Sequence, residues 1–134
     1  MKDLFGYIKL GRLSKPIANK ISRTPANIYI DYDHLRHIEN GKSEYLTKIK
    51  TDALTYVKNI IDGYSEIRKG RGDALLLVMK MENENPSNQK NDKREVIVVE
   101  LQLIVKKNIY TVKTAMPRIK FAKNETLLYQ MKKD

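Results

Sequence analysis

The sequence predicts an α+β fold, with N-terminal helices packed on a three- to four-stranded antiparallel sheet. Three observations predict it. Apolar residues recur at helical spacing between Ser43 and Asp62, the period changes after Gly63, and the second half carries three Val-, Ile- and Leu-rich segments divided by turn residues. The 134 residues suit one domain, with residues 1–9 as a leader and 124–134 as a tail.

In LGRLSKPIANKISR, residues 10 to 23, Leu13, Ile17 and Ile21 fall at four-residue steps. Ser14 can cap and Pro16 fits a first turn, so a short helix is expected over about 14–23, stopped by Pro25. Ile28, Tyr29 and Ile30 read as a short extended segment. Asp31 or Asp33 can then cap a helix through Asn40, with Gly41 at its C-terminal end. From Ser43 to Asp62 the stripe of Leu46, Ile49, Ala53, Tyr56, Val57, Ile60 and Ile61 predicts a long helix closed by Gly63.

Beyond it, 74–81, 94–105 and 109–115 read as strands. Residues 82–92 (ENENPSNQKND) read as a polar loop, and Lys106, Lys107 and Asn108 as a tight connection.

Twenty-six Lys and Arg against sixteen Asp and Glu give a net charge of +10. That balance points to a polyanionic partner: nucleic acid, an acidic membrane surface or an acidic protein. The absence of cysteine excludes disulfides, thiolate metal sites and a cysteine nucleophile. The longest apolar runs are too short or too interrupted to cross a bilayer, so a soluble chain without membrane insertion is expected.

IYIDYDHLRHI, residues 28 to 38, holds both histidines of the chain. On a helix beginning near Asp33, His34 and His37 lie one turn apart on one face, with Leu35 and Ile38 marking the buried side. Imidazole titrates near neutrality, so His37, at the edge of that buried side, is a candidate for proton transfer. His34 reads either as a surface group or as an RNA contact. A metal reading lacks a second cluster of ligands, so none is expected.

In the last long strand, Ile109, Thr111, Lys113 and Ala115 alternate with Tyr110, Val112 and Thr114. Lys113, Thr114, Arg118 and Lys120 should gather near a turn at Pro117, a neighbourhood of charge and hydroxyls that suits a phosphodiester. Tyr110 reads as a base-stacking group or as sheet core, with Tyr29 and Tyr32 as further stacking candidates. In the loop IRKGRGD, Arg68, Lys69 and Arg71 suit phosphate tracking.

LGRLSKPIANKI, IYIDYDHLRHI, a long helix, a hairpin and YTVKTA, in that order, resemble the phage-type branch of the Barnase–EndoU–colicin–RelE nuclease superfamily over about residues 10 to 120. The resemblance implies a small metal-independent endoribonuclease fold without cofactor. The reaction it implies is attack of a ribose 2′-hydroxyl on the adjacent phosphate, leaving a cyclic phosphate end. The 2′-hydroxyl makes RNA the substrate, with transfer RNA as one candidate. It further implies a bacterial or phage toxin acting in the bacterial cytoplasm, delivered in a secreted protein and held by an acidic immunity or antitoxin protein.

Carried across, the family's R-H-I pair falls on Arg36 and His37 and its late-strand threonine on Thr114. His37 is then the general acid or base, Thr114 a phosphate ligand, and Arg36, Lys113 and Arg118 stabilise the developing charge. A second histidine of many members, four or five residues on, is replaced here by Gly41 and Lys42. His34, Lys42, Tyr110 or Lys113 would have to take its place. This reading requires His37 and Thr114 to face one cleft. Two alternatives stay open: a non-catalytic nucleic-acid-binding module, and a basic interaction domain for an acidic protein.

Overall fold

The computed structural model describes residues 6–41, 46–47, 50–80, 96–118 and 121–131. Its elements are β1 (Tyr7–Leu13), α1 (Lys15–Lys20), β2 (Ala26–Asp31), α2 (Tyr32–Gly41), α3 (Ala53–Gly63), β3 (Glu66–Lys69), β4 (Leu75–Lys80), β5 (Val96–Ile104), β6 (Ile109–Arg118) and β7 (Leu127–Gln130). The α+β class holds, but the sheet has seven strands and is mixed rather than antiparallel, in the order β1-β2-β6-β5-β4-β3-β7. β2 pairs parallel with β6, Tyr29 lying beside Thr111.

The additional strands come from segments read otherwise. Tyr7–Leu13 forms an edge strand whose register slips between Lys9 and Gly11, where Lys58 Nζ donates to the Leu10 carbonyl at 3.2 Å. The slip lets both Leu10 and Leu13 reach the core. A side chain at Gly11 would meet Ile61 Cγ2 at 3.0 Å, so glycine sets how closely α3 approaches β1. α1 is shorter than expected: it ends at Lys20, and Ser22 just beyond it has φ 58°. Glu66–Lys69, read as part of a charged loop, pairs with both β4 and β7. Part of the expected tail is β7 itself.

The long helix is interrupted. Lys50 has φ 57°, the Thr51 N–H returns to the Leu46 carbonyl at 3.0 Å, and Asp52 caps a new helix by accepting the Thr55 N–H at 2.8 Å. The apolar stripe continues across this break because Leu46 stays buried with Ala53, Tyr56, Val57, Ile60 and Ile61.

The main core fills the space between the helices and one sheet face. Tyr110, Val112, Ala115, Val99, Leu101, Leu75 and Leu77 meet α3 there, together with Ile38 of α2. Each fully buried leucine, such as Leu77, contributes about 1.5–3 kcal/mol. On the other face Leu76, Val78 and Val98 form a smaller cluster under Phe121. Among the described residues no helix is long and apolar enough to cross a membrane. The expected loop at 82–92, residues 43–45 and 48–49 of the expected long helix, Lys42 and Lys120 lie outside the described residues, as does the side chain of Arg118.

Candidate functional site

β2 ends by turning directly into α2, and Asp31 makes the corner. Its Oδ1 accepts the His34 backbone N–H at 2.8 Å, satisfying one of the free donors at the start of the helix. Helical spacing then places Leu35 and Ile38 inward, Ile38 only 2% exposed, and leaves Arg36 and His37 in solvent.

The same corner fixes an imidazole. His34 Nδ1 stands 2.9 Å from both Oδ1 and Oδ2 of Asp31. An ionised carboxylate only accepts, so Nδ1 donates to it, and in the neutral form of the ring Nε2 is then the acceptor. The two side chains are 31% and 27% exposed, within reach of solvent yet partly withdrawn from it. Burial works to raise the Asp31 pKa. The His34 N–H and ring, with the charges of His34 and Lys113, outweigh it and hold the carboxyl below its ordinary range.

Lys113 arrives through a defect in the ladder. Val112 lies opposite Leu101 but Thr114 lies opposite Glu100, so Lys113 is an extra residue bulged out of β6. Carried two residues beyond the Tyr29–Thr111 pair, the parallel register brings Lys113 alongside Asp31. The bulge also reverses the expected alternation. Ala115 joins Val112 in the core, while Thr114 shares the opposite face with Glu100.

The residues proposed from sequence therefore separate. His34, Asp31 and Lys113 come together. His37 and Thr114 do not: α2 packs on the core side of the sheet and Thr114 faces the other side, so the shared cleft that the resemblance required is not formed by these two residues. Arg36 lies in solvent with its Nη1 3.9 Å from Asp33 Oδ1.

Tyr110 is fully buried, and its hydroxyl donates to the Thr24 carbonyl at 2.7 Å, which removes it as a stacking or proton-transfer group. Burial raises its pKa against the opposing charge of Arg23. Tyr29 is likewise enclosed, edge-on to Tyr7, whereas Tyr32, two residues before His34, is 54% exposed.

Arg68 is committed to structure: it bonds Glu66 Oε1 and the Glu125 carbonyl and covers the Phe121 ring at 4.2 Å. Lys69 and Arg71 lie at the end of the sheet away from Asp31. Pro117 makes no turn, since β6 runs through it opposite Ile97. The candidate side chain that the sequence offered as a cap, and not as a partner of His34 in proton transfer, is Asp31. The spacing D-x-x-H at a helix start was its visible signal.

Among the described residues no group of three or more His, Cys, Asp or Glu side chains is placed to hold a metal ion. Comparison with family models, curated proteins and solved structures finds no match, so the site has to be interpreted from its own geometry.

Proposed function

We propose that the chain is an endoribonuclease whose proton-transfer centre is His34, oriented by Asp31 and flanked by Lys113. The carrying observation is the pair of 2.9 Å contacts from His34 Nδ1 to the Asp31 carboxylate, which leave Nε2 as the ring's basic atom. Nε2 takes the proton of a ribose 2′-hydroxyl as its oxygen bonds to phosphorus. The bond to the 5′-oxygen breaks, a 2′,3′-cyclic phosphate remains, and the leaving oxygen is protonated. His37, exposed one turn along α2, is the candidate acid. Lys113 offsets the charge that accumulates on the phosphoryl oxygens. Tyr32 offers an exposed ring to a neighbouring base.

The test is incubation of RNA with the protein in EDTA and analysis of the ends produced. Wild type should leave cyclic phosphates, and His34→Ala should slow their appearance by about a hundred- to ten-thousandfold. Loss in His37→Ala with full activity in His34→Ala would move the centre to His37.

A second reading is a nucleic-acid-binding module without cleavage. The observation that favours it is the dual role of Asp31, whose bond to the His34 N–H is also what a helix cap requires. RNA left intact by the wild-type protein, with binding retained, would establish it.

A further inference from the structure

Strand directions sort the chain's connections between two ends of the sheet. Asp31 and the start of α2 lie at one end. At the other lie the residues preceding β2, the β3–β4 and β5–β6 turns, and the approach to β7. Those four segments, 22–25, 69–74, 105–108 and 121–126, contain Arg23, Lys69, Arg71, Lys106, Lys107 and Lys123 against only Asp73 and Glu125.

None of the six cations forms an ion pair among the described residues. Two of them brace the loops instead. Arg23 Nη1 donates to the Asp73 carbonyl at 2.8 Å, and Lys69 Nζ to the carbonyls of Gly70 and Gly72 at 3.4 and 3.3 Å. These contacts hold Arg71 outward on a fixed turn. The β5–β6 tip is closed by the Lys107 and Asn108 N–H groups, with Asn108 at φ 55°. The two tips lie two strand spacings apart, about 10 Å. That is about one Debye length at physiological salt, so their fields add.

We infer that this end of the sheet is a docking surface for the phosphate backbone of single-stranded RNA, which it holds beside the Asp31–His34 centre. The inference rests on the ribonuclease reading for the identity of its ligand. From Ile109 to Lys113 is four strand residues, about 13 Å, which is the separation of rim and centre along the sheet. An acidic protein fits less well. Val105 and Leu127 are the exposed large apolar side chains at this end, and they stand on separate segments rather than forming the apolar centre of a protein interface.

The test is a salt titration of binding to a labelled single-stranded oligodeoxynucleotide, which lacks the 2′-hydroxyl and survives the measurement. The triple variant Arg71→Gln, Lys106→Gln, Lys107→Gln should bind at least about tenfold more weakly at physiological salt. Its slope of log affinity against log salt should fall by about two, at roughly 0.7 for each lost phosphate contact. His34→Ala should bind as wild type does. An unchanged slope in the triple variant overturns the inference, as does loss of polyglutamate binding with oligonucleotide binding intact. Wild type that binds with the expected slope but cuts no RNA would instead overturn the ribonuclease reading and leave this surface standing.

Discussion

The first four residues of β6 and those from Lys113 onward belong to one strand, and the sequence offered polar candidates from both. The molecule treats them differently. Ile109 to Val112 run between β2 and β5 in regular pairing, and even the hydroxyl of Tyr110 is turned inward to the Thr24 carbonyl. At Lys113 the ladder slips by one residue, the side chain emerges, and a carboxylate and an imidazole stand beside it. A polar group on a regular central strand must be satisfied internally, because neighbours on both sides exclude water. A bulge releases one residue from that demand, and the charged side chains of the candidate site gather at the bulge.

Three substitutions would sharpen or break this contrast. The largest effect is expected from Asp31→Asn, which exchanges one carboxylate oxygen for an NH2 donor and so no longer holds the proton on His34 Nδ1. Cleavage should fall by about a hundredfold or more through kcat, with oligonucleotide binding little changed.

The same variant carries a stability signature. The Asp31 carboxyl titrates lower in the folded chain than in the unfolded one, so its contribution is present above the unfolded value near pH 4. That contribution is lost as pH falls through the folded value. Thermal melts of wild type should therefore decline below about pH 4 more steeply than those of Asp31→Asn. Equal decline would mean that the pair does not stabilise the fold.

Next in size is Tyr110→Phe. Deleting the hydroxyl leaves the Thr24 carbonyl without this donor, and denaturant melts should show a loss of about 1 kcal/mol. Cleavage measured below the melting transition should be normal. A large loss of activity with stability intact would return Tyr110 to the site.

Smallest is Arg36→Ala. Its pair with Asp33 is long and solvent-exposed, so the stability change should stay under about 0.5 kcal/mol in the same melts.

Local pattern conveyed much of the fold: α2, α3, β4, β5 and β6 were legible because each carries its own period or turn residues. β1 was not, because Leu13, Ile17 and Ile21 also suit a helix and the bulge at Leu10 blurs strand alternation. The break before α3 was hidden for a related reason, since Leu46 packs in the same core as the helix that follows. β3 was masked by its charges, by the glycines that follow it, and by pairing with segments from elsewhere in the chain.

In the candidate site, one inserted residue misplaced Thr114. Without the bulge, Thr114 would share a face with Tyr110 and Val112. With it, Ala115 takes that place and Thr114 turns away. No alternation of residue types announces an inserted one.

The parallel pairing of β2 with β6 has a kinetic consequence. Asn27 must wait for Ile109, more than half the chain away, before that seam closes. Non-local pairing of this kind makes folding slow, because the entropy of a long loop is lost before any contact compensates it. Asp31 acquires its lysine neighbour only once that late strand has docked, so a nascent or partly folded chain lacks the complete candidate site.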